Sequence, residues 1–161
     1  MYDIFISYRT THSNWVETLA HNLKAQDYTV FLDQWELIAG QDFPAKIHDA
    51  LKDACCAILV ATPDTSDSGW VQQELQMMIN RKNSGSGFFF IPVVMGQFPD
   101  LPFVENVQAV DFGDSQPEVY RRSFRKLLCG LKEKPPGSDA AFEGETIALL
   151  SSHLNCRCST F

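Results

Sequence analysis

The sequence predicts an α/β fold of the flavodoxin-like kind, with three layers and a five-stranded parallel sheet in the order 2-1-3-4-5. Short apolar runs alternate along the chain with segments of helical period, and such alternation builds a parallel sheet covered on both faces. The run Cys55–Ala61 (CCAILVA) is unbroken in its apolarity and too short for a helix, as expected of a strand buried on both sides. Right-handed crossovers then leave few topologies for five strands, and this order is one of them.

The first strand is read at Tyr2–Tyr8 (YDIFISY), β-branched and aromatic, with Arg9 and a polar turn behind it. Trp15, Val16, Leu19, Ala20 and Leu23 share a helix face, capped near Ser13. Tyr28–Leu32 is the second strand, closing on Asp33. A loop from Gln34 to Asp42 carries Trp35, Glu36 and Gly40, and Pro44 opens a helix that turns Ile47, Ala50 and Leu51 inward. After the third strand, Asp64–Gly69 supplies a loop with Asp67 or Ser68 as helix cap. From Trp70 the period is helical, with Val71, Leu75, Met78 and Ile79 on one face. Phe88–Met95 is the fourth strand, its Pro92 expected at an irregular or edge position. Val107–Phe112 is the fifth, after a connection with no helical period. The last helix, Glu118–Lys132, buries Tyr120, Phe124, Leu127, Leu128 and Leu131.

Composition narrows the function. The 161 residues suit one domain with an appendage, and a net charge of −7 argues against nucleic acid as the main partner. No apolar run approaches the roughly 18 residues of a membrane span, and Met1 leads into a strand without a basic, apolar leader, so the expectation is a soluble, cytoplasmic protein. Of the five cysteines, Cys55 and Cys56 are expected to pack as small apolar residues on opposite faces of the third strand. His153, Cys156 and Cys158 have metal-ligand spacing, but three candidates in a tail make a weak case, and no metal is expected.

Open α/β sheets bind ligands beyond the carboxyl ends of their strands where the order reverses, here between strands one and three. Ser7, Tyr8 and Arg9 arrive there from strand one, and the Thr62–Trp70 loop and Glu74 from strand three. At about 100° per residue Glu74 lies about 60° from Val71, on the edge of the apolar seam. A Glu on a helix flank is ordinarily a solvated surface residue; its arrival at the crevice raises it to a candidate. The crevice has no acidic cluster after strand one and no Asp ending strand three, as a receiver domain would need. It also lacks a flavin phosphate loop. The chain contains no G-x-G-x-x-G, Walker A or G-x-S-x-G.

Three segments resemble the Toll/interleukin-1 receptor (TIR) domain family. YDIFISYR (Tyr2–Arg9) is similar to its first box, FLDQWELIAGQDF (Phe31–Phe43) to its second strand and BB loop, and SGWVQQEL (Ser68–Leu75) to the segment whose Trp-x-x-x-Glu holds the acid of the NAD-cleaving, prokaryotic-type branch. Order and separation agree over about residues 1–134. Leu37-Ile38-Ala39-Gly40 stands where animal adaptors carry Arg-Asp and Pro-Gly; Val71 stands where many members have Cys; the third box is not recognisable.

The resemblance implies that Glu74 is the catalytic carboxylate, contacting the ribose that bears nicotinamide. It implies that Tyr8, Arg9 and Trp70 line the nucleotide pocket, while Asp33, Gly40 and Phe43 belong to the gating BB loop. Three of these have plain structural alternatives: core for Tyr8, a helix-start anchor for Trp70, a turn requiring positive φ for Gly40. Trp35, which the family does not fix, reads as a loop anchor or interface residue. NAD⁺ would be substrate rather than cofactor, and no further cofactor is implied. Other TIR domains, in a homo-oligomer or filament, would be the partners, together with a fused or associated sensor in prokaryotic antiviral defence. Residues 135–161, opening on the linker-like Lys134–Ser138, lie beyond the resemblance and are expected to be a linker and the start of a removed regulatory domain. The alternative is a non-catalytic scaffold acting through TIR–TIR association.

Overall fold

The computed structural model describes residues 2–32, 43–63, 65, 69–97, 107–113 and 116–137, with the side chains of 43–45, 70 and 71 outside that description. Five parallel strands, β1 (Ile4–Ser7), β2 (Val30–Phe31), β3 (Cys56–Ala61), β4 (Phe89–Val94) and β5 (Val110–Asp111), form one sheet in the order β2-β1-β3-β4-β5. Helices α1 (Ser13–Lys24), α2 (Phe43–Asp53) and α3 (Gly69–Asn83) connect the first four strands and α4 (Pro117–Leu131) follows β5, with a 3₁₀ turn at Thr10–His12 before α1. The fold class and strand order expected from the sequence are those observed.

Alternation along the strands sorts side chains into two cores. Ile4 and Ile6 of β1, with Tyr8 just beyond it, join Ile58 and Val60 of β3 beneath α1 and α4, against Leu19, Leu23, Phe124 and Leu127. Phe5 of β1 joins Leu59 and Ala61 on the other face, beneath α2 and α3, against Ile47, Leu51, Leu75 and Met78. All six residues of β3 are buried, as a central parallel strand requires.

Strand ends are shorter than the hydrophobic runs. β2 loses Tyr28 and Thr29 to a side-chain clasp: Thr29 donates its N–H and hydroxyl to Asp3 Oδ2 at 2.7 and 2.5 Å, and Asp3 N–H donates to the Thr29 carbonyl at 3.0 Å. These bonds, the hydroxyl first, hold the Asp3 carboxyl below its ordinary range. β5 is reduced to Val110–Asp111, which pair only with Val93 and Val94. Pro92 therefore lies within an interior strand, just before the ladder to β5 begins, rather than on an edge strand. The helix caps foreseen at Asp67 or Ser68, and the connection over residues 98–106, lie outside the described residues.

The paired cysteines behave differently from each other. The β1–β3 ladder starts at Ile4 and Cys56, so Cys55 precedes it and is exposed, contrary to the expectation that both would pack. Cys56 is 3 % exposed, and burial, with smaller contributions from Cys55 and Asp3, pushes its thiol up to about 12. Cys56 therefore stays a protonated, covered thiol at neutral pH, while Cys55 is open to solvent. Iodoacetamide is expected to modify Cys55 in the native protein and Cys56 only after denaturation, as read by peptide mass spectrometry.

Among the described residues no helix is long and apolar enough to cross a membrane, and no three His, Cys, Asp or Glu come together as a metal site would require. His153, Cys156 and Cys158 fall outside those residues.

Candidate active site

β1 ends at Ser7, whose register partner is Leu59, while β3 runs two residues further to Ala61. The two strands therefore finish in a step, at the point where the sheet order reverses. Ser7 follows Phe5 in alternation and so faces the layer containing α3. There its hydroxyl donates a short hydrogen bond to Glu74 Oε2, joining side chains 67 residues apart.

Both partners are buried: Ser7 is 1 % exposed and Glu74 4 %. The expectation of a seam-edge acid understates this, because Glu74 is covered as fully as its neighbour Leu75, at 6 %. Removing a carboxylate from water is costly unless donors replace the lost solvent, and Ser7 supplies one. A carboxylate held in that way, in low dielectric, interacts far more strongly with a developing positive charge than one in water.

The rim beyond β3 is fixed by two buried threonines. Thr62 N–H donates to Thr65 Oγ1 at 2.7 Å, Thr65 N–H donates to the Thr62 carbonyl at 2.9 Å, and the two hydroxyls lie 2.9 Å apart. Arg9 continues β1 in extended backbone (φ −86°, ψ 141°) and is half-buried; its carbonyl accepts from His12 N–H at 3.0 Å.

The structure brings some of the expected site residues together and separates others. Ser7 and Glu74 meet, and Arg9 follows two residues beyond Ser7. Tyr8 belongs to the core under α1 and α4, on the opposite face of the sheet from α3, at 8 % exposure. Trp70 lies in the first turn of α3, one turn before Glu74, and Phe43 is the first residue of α2; the side chains of both are outside the described residues. Asp33, Gly40 and Trp35 lie outside them altogether. The sequence reading brought Ser7 to the same crevice as Glu74 but did not pair the two. The signal for the pairing was parity along β1, which sends Ser7 to the α3 side and Tyr8 away from it.

The TIR domain family model matches residues 4–128. A curated relative, the 2′ cyclic ADP-D-ribose synthase BtTIR of Bacteroides thetaiotaomicron, is 31% identical over 85 residues, which are 52% of this chain and 30% of that protein. The chain thus spans less than a third of the relative's length. Among solved structures, the TIR domain of the Toll-related receptor TRR-2 from Hydra magnipapillata superposes with a TM-score of 0.68 at 21% identity, covering 82% of this chain and 99% of that one. The TIR domains of the activated Roq1 resistosome give 0.65 at 16% identity, with 81% and 99% covered. A metazoan TIR-STING receptor from C. gigas gives 0.63 at 19% identity, with 84% and 40% covered. At such identities the structural likeness speaks for the fold alone, but the family model spans most of the chain, and the chain belongs to the TIR domain family.

Proposed function

We propose that the protein is an NAD⁺ nucleosidase that breaks the nicotinamide–ribose bond, with Glu74 as its catalytic carboxylate. The observation that carries this reading is a buried acid, tied by Ser7 to the end of β1, where β3 runs on past β1 and the sheet order reverses. The relative named a cyclic ADP-ribose synthase supports the substrate class.

The chemistry needs a single carboxylate. Glycosidases acting on ordinary sugars use a second acid to protonate the leaving oxygen. Nicotinamide in NAD⁺ is already cationic and leaves neutral with the bonding electron pair. What must be stabilised is the oxocarbenium-like ribose, which a fixed negative charge and hydrogen bonds to the ribose hydroxyls accomplish. Water attack at C1′ gives ADP-ribose and releases a proton. Attack by a hydroxyl within the same molecule gives a cyclic ADP-ribose, the product class in the relative's name.

At 4 % exposure Glu74 is closed to a dinucleotide in the single chain, so substrate entry requires displacement of the groups over it. Self-association supplies that displacement in this reading, and the isolated domain has low activity until a sensor clusters it, as an effector in antiviral defence would. The expected result is NAD⁺ loss that rises faster than linearly with protein concentration and rises further on a chemically induced dimeriser. Rates strictly linear in concentration, from a species monomeric by light scattering, would reject activation by assembly.

A second reading, a TIR scaffold without catalysis, is favoured by the same burial, since the Ser7–Glu74 bond would then be a structural clasp between β1 and α3. Complete inertness toward NAD⁺ even when the chains are forced together would select it.

A further inference from the structure

A second constellation lies on the same helical layer, away from the crevice. The carboxyl-terminal halves of α2 and α3 enclose a cleft of about 310 Å³, lined by His48, Leu51, Lys52, Met77, Asn80 and Arg81. That volume reaches the lower end of the range for small-molecule sites. The cleft's residues on α3 lie three to seven positions beyond Glu74, about 5–10 Å along the helix, and none belongs to the crevice.

Its polar groups are donors. Arg81 Nη1 donates to the Leu51 carbonyl, and its guanidinium carbon stands 4.4 Å over the Phe88 ring, so the group is held in place from two sides. The Leu51 carbonyl belongs to the last turn of α2, and capping it is a structural duty of Arg81. That duty occupies one of five N–H donors. Lys52 is exposed, and neither Lys52 nor Arg81 has an ion-pair partner among the described residues. Asn80 Oδ1 accepts from Gln76 Nε2 at 3.0 Å, which leaves the Asn80 amide N–H₂ as its group for the cleft. His48 also lines the cleft, and its Nδ1 lies 3.8 Å from Oδ1 of the exposed Asp49, which is not a lining residue.

The geometry points to a binding site for a small organic anion, its charged head held by Lys52, Arg81 and the Asn80 amide and its apolar body laid on Leu51 and Met77. Neither cation has a carboxylate partner among the described residues, and a guanidinium already anchored loses little freedom on binding. Apolar side chains beneath the cations separate this ligand class from inorganic phosphate. This site is independent of the reading of Glu74.

The test uses phenyl phosphate as the probe, titrated into ¹⁵N-labelled protein, with inorganic phosphate and benzyl alcohol as separate arms. Saturable amide shifts confined to residues 48–52 and 77–81 are expected, with each partial probe binding about tenfold more weakly. Lys52→Met alters an exposed side chain and is expected to weaken phenyl phosphate about fivefold with the spectrum otherwise retained. Arg81→Lys keeps the charge, loses the fork, and is expected to weaken it further. Shifts absent from both segments, unchanged affinity in Lys52→Met, or inorganic phosphate binding as tightly as phenyl phosphate would each overturn the assignment.

Discussion

Replacing Glu74 by Gln is expected to lower the rate of NAD⁺ loss by about 10²–10³-fold, the scale on which a single preorganised electrostatic contact acts in a water-excluded site. Gln has the same shape and still accepts from Ser7, so the clasp between β1 and α3 survives while the negative charge is lost. The thermal midpoint should therefore stay near that of the wild type. Ser7→Ala is the companion variant. It leaves the charge but removes a buried donor worth about 1.5–3 kcal/mol to a charged partner, and activity is expected to fall by about tenfold through poorer positioning. A Glu74→Gln protein with undiminished turnover, measured in the clustered state by nicotinamide release, would remove Glu74 from the chemistry.

Phe124→Ala is expected to have the largest effect on stability, about 3–5 kcal/mol, without touching the site. Phe124 is fully buried in α4 and lies parallel to Tyr120, with ring centroids 6.0 Å apart and an interplanar angle of 8°. It packs in the core under α1 and α4, on the face of the sheet opposite Glu74. A domain of this size is stable by about 5–15 kcal/mol, so a loss of that order should lower Tm by on the order of 10 °C. Activity per folded molecule at low temperature should be unchanged. A loss below about 1 kcal/mol by urea titration would mean that α4 is not packed as described.

The fold was legible because its determinants are local and periodic. The apolar run ending at Ala61 reads as a doubly covered strand, and Leu19 and Leu23, or Phe124, Leu127 and Leu128, mark helix faces directly. What failed was local competition. Thr29 has the composition of a strand residue, yet Asp3 takes its N–H and hydroxyl, which no periodicity reveals. Cys55 looks identical to Cys56 in sequence, and only the start of the β1 ladder separates an exposed thiol from a buried one.

The site was legible in outline and not in depth. A helical period places Glu74 on a flank, but whether a flank is wet depends on what the sheet presents beneath it. Ser7 lies 67 residues earlier, and the bond between them depends on register. The same parity argument, applied to Tyr8, sends it to the opposite core. The readings at Asp33 and Gly40 lie outside the described residues, so the gating loop rests on the resemblance of Phe31–Phe43 alone.

The most direct test of Glu74 as the group facing the scissile ribose is a crystal structure of the assembled protein with a non-cleavable NAD⁺ analogue. The expected result is the Glu74 carboxylate released from Ser7 or shared with it, and within hydrogen-bonding distance of the hydroxyls on the ribose that carries the nicotinamide. An analogue bound elsewhere, with Glu74 still buried against the sheet and its bond to Ser7 unchanged, would contradict it.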